Sequence, residues 1–204
     1  MELPRKILIG NDVICQLGSF IRDLNDKATI VSVISGNTVK TRVGKECVEA
    51  LDSSSLKHKW IETPNASMND INSSQSMINQ EQPNFIVGVG GGRSVDVAKM
   101  ISFNLNIPFI SVPTSASHDG ISSPFVSIKG RDKPYSLKAH APIGVIADTK
   151  LISEAPYRLQ ASGCGDLIGK ITAVKDWELA RDAKNEYFGS YAANLANMSA
   201  KIII

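Results

Sequence analysis

Apolar runs of strand length take turns with stretches whose apolar residues recur at helical spacing, and this alternation predicts most of the chain. Lys6 to Ile9 reads as a strand. Asn11 is placed to cap a helix after it, with Val13, Ile14, Leu17, Phe20, Ile21 and Leu24 in helical register. Ala28 to Ile34 is a second strand that ends at Ser35-Gly36-Asn37, and Thr38 opens a helix carrying Val43, Val48 and Leu51. A third strand, Leu56 to Ile61, and a polar helix from Ser67 to about Gln80 lead to the apolar run Phe85 to Val89. A helix from Ser94 onward then places Val95, Ala98, Ile101 and Leu105 on one face. Ile107 to Val112 is another strand. Phe125-Val-Ser-Ile and Tyr135-Ser-Leu-Lys, joined by Lys129-Gly-Arg-Asp-Lys-Pro134, read as a hairpin that closes over the ligand side or packs beside it. Ile143 to Ala147 completes the set and Asp148 ends it. Such alternation implies a parallel sheet with helices on both faces and a ligand beyond the carboxyl ends of the strands.

From Thr149 the pattern is helical only: Lys150 to Glu154, Asp166 to about Ala183, and Tyr187 to Ala200. The expected organisation is therefore an α/β, Rossmann-like domain over residues 1–148 and the beginning of an all-α domain over 149–204. Tyr191, Leu195 and Met198 form one stripe of the last helix, which runs into Ile202-Ile-Ile204 with no cap, glycine or polar tail. The chain is expected to continue past this point, and the open stripe, with Ile202, to promote self-association of the shortened chain because its packing partner is absent. A homo-oligomer is anticipated separately.

Composition changes this picture little. The 204 residues are 43% hydrophobic and 21% charged with net charge +2, which gives no electrostatic case for nucleic acid. The N-terminal residues hold no apolar segment long enough for a signal or a membrane span, so the expected address is the cytoplasm. Cys15, Cys47 and Cys164, odd in number and widely spaced, imply neither a disulfide framework nor a zinc finger, and are expected to be reduced core residues for the most part.

The densest chemistry lies between Val89 and Lys99. Gly90, Gly91 and Gly92 have no Cβ, so their backbone can take positive φ and lie against a ligand, while Ser94 is placed to cap the following helix. The N–H groups of that helix start favour an anion. The stretch departs from G-x-G-x-x-G because Arg93 stands at the third glycine, so a dinucleotide or phosphate loop of another type is expected. Arg93 and Lys99 could assist a phosphate, although a lysine in this place more often faces solvent. Pro113-Thr-Ser-Ala-Ser-His-Asp-Gly120 ends a strand on the same edge of the sheet. Asp119 there either accepts hydrogen bonds from substrate hydroxyls or forms an Asp-Gly turn. Asp166, after Gly163 and Gly165, reads as a helix N-cap or as a metal ligand, with Leu167, Ile168 and Ile171 buried beside it. Of the histidines, His58 is expected to be solvated and His140 structural, and His118 sits in the polar loop.

Taken in order, Gly90-Gly-Gly-Arg-Ser-Val-Asp-Val-Ala-Lys99, Pro113-Thr-Ser-Ala-Ser-His-Asp-Gly120, Asp148-Thr-Lys-Leu-Ile-Ser-Glu-Ala-Pro156 and Ala161-Ser-Gly-Cys-Gly-Asp166 resemble the metal-dependent dehydrogenases of the dehydroquinate synthase-like fold. The wording Ser-His-Asp-Gly and Ser-Leu-Lys-Ala-His is most similar to the archaeal-type sn-glycerol-1-phosphate dehydrogenase branch. This resemblance implies that Gly90, Gly91, Gly92, Arg93, Ser94, Val95 and Asp96 bind NAD or NADP, with Gly92 through Asp96 holding the pyrophosphate. It further implies that Thr114, Ser115, Ala116, Ser117 and Ser123 line the nicotinamide side, that Asp119 and Asp166 meet the substrate, and that Asp166 binds Zn2+. The family's two histidine ligands would lie beyond Ile204. The implied reaction is reversible reduction of dihydroxyacetone phosphate to sn-glycerol 1-phosphate for archaeal ether lipids. Ser35-Gly36-Asn37 carries no acid to select NAD over NADP. Glycerol dehydrogenase and a non-catalytic nucleotide-binding module are the rival readings, and Lys99 counts against a dehydroquinate synthase.

Overall fold

The computed structural model describes residues 3–63, 67–128 and 135–204. Strand β1 (Lys6–Gly10) leads through a short 3-10 turn, Val13–Gln16, into helix α1 (Leu17–Leu24). Then follow β2 (Ile30–Ser35), α2 (Asn37–Ser53), β3 (Lys57–Glu62), α3 (Met68–Glu81), β4 (Phe85–Gly90), α4 (Gly92–Leu105) and β5 (Phe109–Pro113). The chain continues through the strands β6 (Phe125–Ile128), β7 (Tyr135–Lys138) and β8 (Gly144–Asp148) to three helices, α5 (Thr149–Ser153), α6 (Tyr157–Lys184) and α7 (Ser190–Lys201). The elements group into two compact units, residues 1–116 with 120–155, and residues 117–119 with 156–204. No helix among the described residues is long and apolar enough to cross a membrane.

In the first unit six strands form a wholly parallel sheet in the order β1-β8-β5-β4-β2-β3. Successive side chains of a strand point to opposite faces, so each central strand feeds two cores. Val31, Val33, Phe85, Val87, Val89, Ile110 and Val112 face α1 and α2, where Phe20, Ile21, Cys47 and Leu51 complete one core. Ile34, Ile86 and Phe109 face the other side, packed by Ile71 and Ile78 of α3 and Val95, Ala98 and Ile101 of α4. Burial on both faces explains why these strands read as continuous apolar runs. β6 and β7 pair antiparallel, as the hairpin pattern predicts, and Val126 joins the core beside α4; the connecting Lys129 to Pro134 lies outside the described residues.

Asp148 is 1% exposed at the end of β8 and links the sheet to α5. Its Oδ1 accepts from the N–H of Lys150 and Leu151, and its Oδ2 from the N–H of Ile14 at 3.1 Å. Asn11, expected to cap the first helix, instead accepts a hydrogen bond from Thr149 Oγ1. Asp12, in the left-handed conformation at φ 54°, turns the chain there and leaves Asn11 outside the turn.

In the second unit α6 is one helix of 28 residues packed on α7. Its end is fixed by Asn185 in the left-handed conformation, and Trp177 Nε1 donates to the Tyr187 carbonyl at 2.7 Å. This corrects the expected helix start at Asp166, which lies well inside α6 rather than at its N-cap. Gly163, Gly165 and Gly169 cost the helix about 1 kcal/mol each, too little to break one so long. Leu167 and Ile171 are half-buried and Ile168 is 44% exposed, so the predicted burial of this trio is also not found. On the continuous helix Leu167 and Ile171 stand one turn apart on a shared face, and Ile168 lies about 100° around from Leu167 on the more exposed side.

Candidate functional site

Helix α2 leaves β2 over one face toward β3, and α4 leaves its neighbour β4 over the opposite face toward β5. The carboxyl ends of β2 and β4 thus flank the crevice where the strand order reverses, the place where such sheets bind ligands. The glycine turn stands at this crevice. Gly90 has φ +145°, and a Cβ on it would lie 2.8 Å from Ser94 Oγ, so conformation and space both call for glycine. A Cβ on Gly88 would meet that of Ala98 at 2.8 Å, which lets α4 sit close to the sheet.

Helix α4 begins at Gly92, two residues before the predicted Ser94 cap. Gly91 is extended at φ −76° and occupies the N-cap position, and no side chain caps the helix. The glycine backbone allows the helix to start at once, which moves Ser94 into the first turn. The leading N–H groups are thereby offered to a ligand rather than to a serine hydroxyl. Arg93 is exposed beside them. Val95 is buried, and the Asp96 carboxylate turns inward to accept from Ser127 N–H at 3.0 Å.

The loop after β5 is tied to this turn, because Thr114 N–H donates to the Gly90 carbonyl at 3.0 Å. Ser115 is 3% exposed and its Oγ has no hydrogen-bond partner among the described residues. That oxygen lies 3.4 Å from where a Gly91 Cβ would stand. Ala116 is exposed and Ser123 half-buried. A buried hydroxyl left over beside a glycine-only backbone and an uncapped helix start fits a ligand rich in oxygen atoms, such as a dinucleotide pyrophosphate. The end of β2 and the first turn of α2 also border the glycine turn, with Val39 Cγ2 of α2 3.6 Å from a Gly90 Cβ. Ser35 there accepts from Trp60 Nε1 at 2.8 Å, and no carboxylate stands in Ser35-Gly36-Asn37.

Ser117, His118 and Asp119 belong to the second unit with Asp166. Ser117 is buried, His118 half-buried, and Asp119 exposed. Asp119 N–H donates to Asp166 Oδ2 at 3.1 Å, so the two expected site carboxylates are neighbours. Lys170 joins them, forming an ion pair with Asp119 and lying 3.9 Å from Asp166 Oδ2. Sequence reading passed over Lys170, although its position four residues after Asp166 on a helix was the available signal. Among the described residues no three histidine, cysteine or acidic side chains are grouped to hold a metal ion, so the residues present do not by themselves fit a metal centre.

Other expectations change as well. Lys99 is not on a solvated face: it is fully buried, and its ammonium donates to main-chain carbonyls. Its place one turn after buried Val95 was the overlooked signal. His58 is only 21% exposed, with Nδ1 3.5 Å from Asp52, because it lies under the edge of α2 rather than in solvent. His140 packs edge-on against Phe103 at 4.8 Å between ring centroids, a structural role. The cysteines are free, but only Cys47 is in the core; Cys15 and Cys164 sit on the outer sides of their helical segments and are exposed.

Residues 8–156 match the model of a family described as iron-containing alcohol dehydrogenase. Over the whole chain, the sequence is 52% identical to a glycerol-1-phosphate dehydrogenase (NAD(P)+) of Cenarchaeum symbiosum and 48% identical to that of Nitrosopumilus maritimus. It spans 57% of the length of each of these curated relatives. Among solved structures, glycerol dehydrogenase from Schizosaccharomyces pombe shares the fold with TM-score 0.76 at 24% identity, over 83% of this chain and 43% of that one. An NADH-dependent butanol dehydrogenase from Thermotoga maritima does so with TM-score 0.75 at 19% identity, over 84% and 49% of the two chains. Its parallel sheet, its glycine turn and the family match over residues 8–156 agree, and the chain belongs to the iron-containing alcohol dehydrogenase family.

Proposed function

We propose that this chain supplies the dinucleotide-binding part of an NAD- or NADP-dependent oxidoreductase that reversibly reduces dihydroxyacetone phosphate to sn-glycerol 1-phosphate for membrane lipid synthesis. The observation that carries the reading is the cradle at the end of β4: a glycine at φ +145°, an uncapped helix start, and the unpartnered Ser115 hydroxyl beside it. The substrate comes from the relatives' names, both glycerol-1-phosphate dehydrogenases.

In this reading the first-turn N–H groups of Gly92, Arg93 and Ser94 hold the pyrophosphate, with Gly90 and Gly91 allowing close approach. Thr114, Ser115, Ala116, Ser117 and Ser123 line the path from the pyrophosphate to the nicotinamide end, and Ser115 Oγ, beside Gly91, donates to a pyrophosphate oxygen the hydrogen bond it lacks in the free protein. The bound cofactor supplies the hydride. Asp119 and Asp166 accept hydrogen bonds from the hydroxyls of sn-glycerol 1-phosphate, and Lys170 holds the Asp119 carboxylate in place. Zinc is the proposed metal and Asp166 this chain's ligand to it; no step is assigned to the ion, because the described residues group no further ligands around that carboxylate. A cytoplasmic address and a homo-oligomeric state belong to the same reading.

The test is an assay of the full-length protein with NADH. Dihydroxyacetone phosphate should be reduced and glycerol left unoxidised in the presence of NAD. Asp119→Asn should lower kcat/KM for dihydroxyacetone phosphate about tenfold or more with the dissociation constant of NADH unchanged. Glycerol turnover without dihydroxyacetone phosphate reduction would refute the substrate.

A further inference from the structure

Helix α4 carries two buried charges one turn apart, Asp96 at 5% and Lys99 at 0% exposure, with Lys99 Nζ 3.8 Å from Asp96 Oδ1. Both reach into the segment that follows the polar loop. Lys99 donates to the Gly120 carbonyl at 2.7 Å and to the Phe125 carbonyl at 2.9 Å, and Asp96 accepts from Ser127 N–H at 3.0 Å. The two lysine acceptors lie on either side of Ser123 in sequence. An ammonium removed from water is costly, and apolar side chains of similar volume generally stabilise a core at least as well. What it provides here is direction. Because both acceptors are main-chain carbonyls, the lysine fixes the path of the backbone rather than the rotamer of a neighbour, and an oxygen at each end leaves that path little freedom.

The same helix begins at the glycine turn. Gly92 and Lys99 are seven residues apart, about 10 Å along a rigid helix. We infer that Lys99 is a positioning residue: it makes the main chain from Gly120 to Phe125 part of α4, so that a dinucleotide seated on the first turn finds the Ser123 segment already in place. This inference rests on the cofactor reading above. Without the ammonium, the segment must be ordered at each binding event, and that ordering is charged against affinity for the ligand that needs it.

The experiment compares NADH with ADP in the full-length protein and in Lys99→Met. ADP reaches the turn but has no nicotinamide end. Loss of the ammonium should raise the dissociation constant of NADH about tenfold and that of ADP less than about twofold. A merely structural staple would weaken both equally or neither, and either result overturns the inference. A second measurement follows the segment directly. In the wild-type protein without nucleotide, amide hydrogen exchange in Gly120 to Phe125 should already be slow, and Lys99→Met should speed it while leaving the glycine turn unchanged. Exchange of that segment unaffected by Lys99→Met refutes the inference and leaves the cofactor reading intact. Failure of ADP and NADH to bind at all refutes both.

Discussion

Replacing Ser115 by alanine should push stability and cofactor affinity in opposite directions. In the free protein its hydroxyl is 3% exposed and unpartnered, and a buried polar group left without a hydrogen bond costs about 1–3 kcal/mol. Alanine removes that cost and leaves a void of one oxygen atom, so a net stabilisation of about 1 kcal/mol is expected. For a chain of this length that corresponds to a rise in Tm of about 2–4 °C. In the proposed complex the hydroxyl would donate to the cofactor, and its loss would remove a bond worth about 1 kcal/mol, a rise in the NADH dissociation constant of about fivefold. Thermal melts with and without NADH, together with fluorescence titration, measure both quantities. Ser32 provides the control. It is fully buried on β2 with an equally unpartnered Oγ, but it faces the core of Ile34 and Ile86 away from the turn. Ser32→Ala should stabilise to a similar degree with no change in NADH affinity. The reasoning fails if Ser115→Ala destabilises the free protein, or if its NADH dissociation constant stays within twofold of wild type.

Two further expectations concern the fold that carries the site. Asp148→Ala strips the acceptor from the N–H groups of Ile14, Lys150 and Leu151 and should cost about 2–4 kcal/mol in urea unfolding, with Asp148→Asn costing less because Oδ1 remains; equal losses for the two variants would show that charge rather than hydrogen bonding matters. Burial, with a smaller contribution from Glu46, pushes the Cys47 thiol up to about 12. Because the folded protein holds this proton above the ordinary value of 9.0, the thiol's contribution to stability is complete below that pH and is lost as pH rises toward about 12. At pH 8 a thiol reagent should therefore count Cys15 and Cys164 in the native protein and Cys47 only after unfolding, and immediate reaction of all of them would overturn the assignment.

By itself the sequence determined what depends on local pattern. Apolar runs marked the central strands, because strands buried on both faces are apolar at most positions, and the alternation with helical periods implied the parallel sheet. The glycine turn was legible for the same reason: the conformation of Gly90 is a property of its own backbone, and only glycine adopts it readily. Tertiary structure decided the rest. It placed β1 beside β8, although the two are far apart in sequence and nothing in either strand names its partner. The run of α6 through Gly163 and Gly165 was settled by cooperative helix propagation across residues on both sides, where a local reading saw a break. Lys99 is the clearest case. Composition assigns a lysine to solvent, and its burial is permitted only by carbonyls that arrive from 21 and 26 residues downstream. Whether a charge can be buried depends on partners brought together through space, and periodicity along the chain carries no record of them.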